Sequence, residues 1–209
     1  MPKPSKLAIA AFVAALMLVS ASASATRLSL DDQDFAVQWD PFITYFNDEV
    51  FGLACSASAA GRFHEAVLQK VAQGLVGSIT EAAGSIGGCR TLLSVLAESL
   101  PWHMTYESFT GTLPAIGSVA FLLIGASFVT GTGGGFTCLA RSTSTEPIRL
   151  IATIGAGGVI TELRLDETRT IDPIDLPGSG ACDVYNYVRF GGGGSVEDGT
   201  GGQLRLTLI

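Results

Sequence analysis

The sequence predicts an α+β protein: a small helical unit over residues 26–110, followed by a β-rich, mainly antiparallel unit over residues 111–209. Three observations lead there. Apolar residues recur at helical intervals between residues 31 and 100. After Pro101 glycine and β-branched residues become frequent and period-2 alternation appears. The four cysteines divide two and two across that change of texture.

Ahead of both units, residues 1–25 read as a signal peptide. Lys3 and Lys6 make a positive start, residues 7–19 are an unbroken apolar run, and SASASAT follows with A-x-A sites ending at Ala23 and Ala25. The run has 13 residues, against the ~20 that a membrane span requires. Cleavage and a periplasmic or extracellular address are therefore expected. Without Lys3 and Lys6, ten bases face 19 acids, a balance of −9. Such a chain repels phosphate backbones, and no Lys/Arg cluster offsets this, so nucleic acid is excluded as a partner.

In the helical unit, Phe63, Val67, Val71 and Leu75 recur every fourth position, while Arg62, Glu65, Gln69 and Gln73 fall elsewhere. That pattern predicts an amphipathic helix over residues 62–76. Ser78 and Glu81 have capping-box spacing for a second. Leu92, Leu93, Leu96 and Leu100 place a third over residues 89–100, stopped by Pro101. Upstream, Phe42, Tyr45, Phe46 and Phe51 also sit at roughly helical intervals.

The β-rich unit is read mainly from its alternation. Residues 148–154, a Gly-Ala-Gly-Gly turn and residues 159–165 predict a hairpin, with Val159, Thr161, Leu163 and Leu165 on one face and Glu162, Arg164 and Asp166 on the other. Leu204, Leu206 and Leu208 alternate with Arg205 and Thr207 in a last strand, and the GGGGSVEDGTGG run before it reads as an exposed loop. Residues 109–140 hold no charge at all. Leu113–Thr130 is long enough for a marginal membrane helix. Pro114, Gly117, Gly125 and the missing basic flanks favour two buried strands, or one strand bent at Gly125, over membrane association.

Cys55, Cys89, Cys138 and Cys182 are separated by 34, 49 and 44 positions, far wider than zinc-ligand pairs. An even count in an exported chain predicts disulfides; of the three possible pairings, Cys55–Cys89 with Cys138–Cys182 is favoured because it places one bridge in each unit, each closing a loop for ~4 kcal/mol.

Chemistry is sparse, and no cofactor or metal is expected. His64-Glu65 opens like a zinc-protease motif, but Leu68 stands where its second histidine belongs. His103 and Glu107 would face each other on a helix. There is no nucleophile elbow, and the glycine run lacks the lysine of a phosphate loop. Asp31, Asp32 and Asp34 lack the calcium-loop glycine and glutamate. Asp48, Glu49, Glu81 and Glu107 are available carboxylates for cleaving a polymer. Were the protein an enzyme, Glu49, His64, His103 and Glu107 would carry the reaction.

The hairpin IRLIATIGAGGVITELRL, the short CDVYNYVRF and the closing GQLRLTLI together resemble the C-terminal domains of TonB-like periplasmic proteins. Tyr187, Arg189 and Phe190 stand where that family carries an aromatic-basic-aromatic cluster. Asp172-Pro173 and Pro177-Gly178 leave room for only a stub of the family's helix, and no Pro-rich spacer is present. The resemblance implies a small α+β envelope module and not energy transduction. The export signal, the disulfides, the apolar core segment and the sparse chemistry make a non-catalytic envelope or secreted binding protein the leading functional reading. The alternatives are a secreted hydrolase of cell-wall or extracellular polymer, and a surface-assembly subunit that meets a protein partner or itself through Ile116–Val129.

Overall fold

The computed structural model describes residues 27–47, 49–50, 55–84, 91–112, 115–132, 137–176, 182 and 185–209. The expected signal peptide lies outside them, as do Asp48, Phe51 and Cys89. In chain order the strands are β1 (Arg27–Leu30), β2 (Asp34–Phe46), β3 (Glu49–Val50), β4 (Cys55–Phe63), β5 (Val67–Gln69), β6 (Leu75–Gly84), β7 (Thr91–Val95) and β8 (Trp102–Thr110). They continue with β9 (Ser118–Ile124), β10 (Ser127–Thr132), β11 (Thr137–Arg141), β12 (Ile148–Ile154), β13 (Ile160–Leu165), β14 (Pro173–Asp175), β15 (Val188–Asp198) and β16 (Leu206–Leu208).

Strands β2, β4, β6, β8, β9, β12, β13 and β15 pair antiparallel in that order, and β15 returns to β2. The result is an eight-stranded up-and-down barrel without an open edge. Its connections carry β3, β5, β7, β10, β11 and β14, while β1 precedes the barrel and β16 follows it. At the end where β2 begins, β1 lies between β16 and β5 in a three-stranded sheet. At the other end β14, β11, β10 and β7 form a four-stranded sheet. The boundary drawn near residue 111 falls in the connection between two paired barrel strands, β8 and β9.

The α+β expectation is overturned: among the described residues no helix reaches seven residues. Intervals of four fit a strand's period of two as well as a helix's 3.6, so they do not separate the two states. The predicted helix over residues 62–76 is the end of β4, a turn, β5, another turn and the start of β6. Phe63, Leu68 and Val76 are buried there, while Val71 and Leu75 are exposed. Ser78 and Glu81 lie in β6, and the third predicted helix is β7 followed by a single 3-10 turn at Ala97–Ser99. In β2, Phe35, Val37 and Trp39 face in; a bulge then shifts the phase, and Phe42 and Phe46 continue the buried face.

Other expectations fare differently. The β12–β13 hairpin forms, with a bulge at Thr161 that turns Ile160 inward in place of Val159. Within the uncharged segment the described residues include β9 and β10, which meet at Gly125 with φ +89°. Among the described residues no helix is long and apolar enough to cross a membrane. The barrel's outer wall bears Arg62, Glu81, Arg149, Glu162 and Glu197, the reverse of the apolar band on a lipid-facing barrel. Of the glycine run, residues 191–198 belong to β15 and only residues 199–202 form a turn. At Gly194 a side chain would meet Trp39 at 2.9 Å. Without one, the Trp39 indole N–H donates to the Leu163 carbonyl on β13 at 2.9 Å.

The Cys138–Cys182 disulfide forms, with Cα atoms 5.7 Å apart. It is consistent with folding in an oxidising compartment outside the cytosol. Cys55 is also disulfide-bonded, and the other half of that bridge lies outside the described residues.

The barrel is solid. Small residues on β4 (Ala57, Ala59) are complemented by the large rings of Trp39, Phe42, Trp102 and Phe121. Two interior hollows measure about 20 Å³ each and are walled mainly by apolar side chains. Each has space for about one water molecule but no polar partners to hold it. Eight strands enclose just enough room for such a filling.

Candidate functional site

The four residues nominated for catalysis are not gathered. His64 and His103 are both exposed, on the turn after β4 and on the outer face of β8. His64 borders a shallow hollow of about 200 Å³ with Glu65, Leu68, Val71 and Leu75. Glu49 belongs to β3, which among the described residues pairs only with the end of β2. Glu107 stands four residues from His103 on β8, where a strand sets such positions ~13 Å apart instead of one helical turn. No group of three or more His, Cys, Asp or Glu among the described residues is placed to hold a metal. In the 116–129 segment Val119, Phe121, Leu123 and Phe128 are buried, which leaves Leu122, Ile124 and Val129 partly covered.

Glu107 belongs to an ion network. The Arg149 Nε–H donates to one of its oxygens, and Arg169 Nη2 donates to the other at 2.9 Å. Arg149 Nη1 also donates to Asp166 at 2.9 Å. Burial alone would raise the Asp166 carboxyl, but hydrogen bonds from Arg149 and Thr168 outweigh it and hold the group below its ordinary value of 3.8. A depressed folded value adds stability above the unfolded value and loses it as pH falls through the folded one. The midpoint of urea unfolding should therefore drop between pH 5 and pH 2.5. The drop should be smaller in Asp166→Asn, and an equal drop in both proteins would refute this role.

On β15, Phe190 points inward against Phe42 and Phe128. Arg189 points outward between the rings of Tyr45 and Tyr187, 5.3 and 5.6 Å from their centroids. Burial, then the neighbouring Glu167, raises the Tyr45 phenol above its ordinary value.

A groove of about 410 Å³ crosses the outer wall over β15, β2, β4 and β6. Strand register sets its geometry. One row runs Glu197–Ala36–Ala60–Glu81, and the next runs Ser195–Gln38–Ser58–Ala83. Alanine and serine keep the floor close to the backbone, while Gln38, Glu81 and Glu197 rise around it, all exposed. Neither Glu81 nor Glu197 has an ion-pair partner among the described residues. Arg62, two positions beyond Ala60 on β4, is held by Asp34 at 2.6 Å. Alongside, the Glu162 carboxylate occupies the space that a side chain at Gly193 would need.

Glu81 is visible in the sequence as an available carboxylate. Glu197 is hidden in a run that reads as loop, and Ala36, Ala60 and Ser58 carry no chemical signal of their own. Comparison with protein-family models, curated proteins and solved structures finds no match to this chain.

Proposed function

We propose that this protein is a non-catalytic binding module of the periplasm or extracellular space that holds its ligand on the outside of the barrel. The observation that supports this is the filled interior, with a small sheet at each end. A barrel that carries ligands internally keeps a chamber, and this one keeps hollows of about 20 Å³. Recognition is left to the outer wall, where the 410 Å³ groove offers a concave floor with convergent polar groups. The disulfide suits such an address.

The test is binding of the intact protein to peptide and oligosaccharide arrays, with Ala60→Trp to fill the groove and Ile151→Trp on the opposite wall as control. Binding should be lost in the first variant and kept in the second, with both melting near the parent. Equal binding by both variants, or no binding to either array, would overturn the proposal. Turnover of an oligosaccharide would favour a hydrolase.

A further inference from the structure

Resting on that reading of the groove, we infer that its ligand is an extended peptide segment of a partner protein carrying two basic side chains four residues apart. The row Glu197–Ala36–Ala60–Glu81 crosses three strand spacings. At ~4.8 Å per spacing its end residues lie ~14 Å apart. An extended peptide rises ~3.4 Å per residue with alternate side chains on opposite faces, so positions i and i+4 share a face at nearly the same separation. Two lysines or arginines at that spacing would each meet one carboxylate.

Between the carboxylates the methyl groups of Ala36 and Ala60 leave room for a backbone to approach. Gln38, Ser58 and Ser195 in the adjacent row supply side-chain donors and acceptors for its amides. Charge complementarity points the same way. No basic side chain lines the groove, Glu81 and Glu197 are unpaired among the described residues, and Glu162 adds a further carboxylate beside the floor. An acidic ligand would meet repulsion along the whole row, and a neutral one would leave both carboxylates without a counter-charge.

The experiment is fluorescence anisotropy of the intact protein with a labelled peptide whose core is Lys-Ser-Ala-Ser-Lys. Two comparison peptides carry glutamate in place of both lysines, or lysines only two residues apart. Glu81→Gln combined with Glu197→Gln, both exposed and unpaired, should leave the melting temperature unchanged and weaken binding at least tenfold. Binding should also weaken between 20 and 300 mM salt, on the order of the change in screening, and favour the four-residue spacing.

The inference is overturned if the parent protein does not bind the lysine peptide, or if the double variant binds it equally. It also fails if the two spacings bind alike, or if spermidine binds as tightly, since a diffuse acidic surface would do both. A glutamate-bearing or uncharged peptide that binds and is lost in Ala60→Trp would overturn the charge assignment while leaving the binding-module reading intact.

Discussion

Replacing Phe128 with alanine is expected to cost about 4 kcal/mol of folding stability, within the range for deleting a buried phenylalanine ring. Phe128 sits on β10, in the four-stranded sheet at the barrel's end, yet its ring enters the barrel. It lies 5.2 Å from Trp102, 4.9 Å from Phe190 and 5.9 Å from Phe42, centroid to centroid. Those three rings come from β8, β15 and β2, so one side chain joins the capping sheet to both sides of the barrel seam. The surrounding strands are tied by hydrogen bonds and cannot collapse into the vacated space, and a rigid wall makes the residual cavity costly. Urea denaturation of the parent and Phe128→Ala would measure this, with Phe128→Leu expected at about half the loss. A loss below about 1.5 kcal/mol would mean that the capping sheet and barrel are not one packed core.

The second large effect is expected from removing the Cys138–Cys182 bridge by the paired changes Cys138→Ser and Cys182→Ser. The bridge spans a sequence separation of 44. Loop-closure entropy for that length amounts to ~4 kcal/mol at 25 °C. Typical domains have a net stability of about 5–15 kcal/mol, so the double variant should be markedly easier to unfold. The location directs where the effect appears. Cys138 is on β11, between β10 and β14, and Cys182 precedes the strand that closes the barrel. Hydrogen exchange should accelerate first in β11 and β14, with β12 and β13 protected for longer. A midpoint shift worth less than about 1 kcal/mol would show that the unfolded chain gains little freedom from cutting the bridge.

Some of this architecture is legible in the sequence because side-chain contrast is strong. In the β12–β13 hairpin, large apolar residues alternate with charged ones across a glycine-rich turn. Where contrast fails, the strands disappear. β4, CSASAAGRF, alternates buried with partly or fully exposed positions along its whole length, but alanine inside and serine outside differ too little in hydrophobicity to register. β2 misleads for another reason. Its bulge between Trp39 and Phe42 places two inward rings three residues apart, which imitates a helical interval. β15 carries four consecutive glycines, a composition typical of loops. It is a strand because β2 and β13 supply its hydrogen-bond partners and Trp39 needs the space over Gly194.

The groove follows the same division. Glu81 and Glu197 are separated by most of the chain, and nothing local connects them. The pairings of Glu197 with Ala36, Ala36 with Ala60, and Ala60 with Glu81 bring them into one row. Neighbouring residues in the sequence did not become a site: His103 and Glu107 lie on one strand, and Glu107 is taken up by two arginines.

The sequence by itself determined the hairpin over residues 148–165 and marked Gly125 as a bend in the uncharged segment, from two short-range signals: alternation, and a residue that tolerates positive φ. It offered the Cys138–Cys182 bridge only as one of three pairings, chosen on a boundary between helical and β units that the barrel removes. Only the tertiary structure decided that the N-terminal half is β, that the strands close into a filled barrel, and that a two-carboxylate groove lies on its wall. Strand formation draws its hydrogen bonds from other strands. The identity of those partners, and hence the row in which a side chain stands, exists only once the chain has closed on itself.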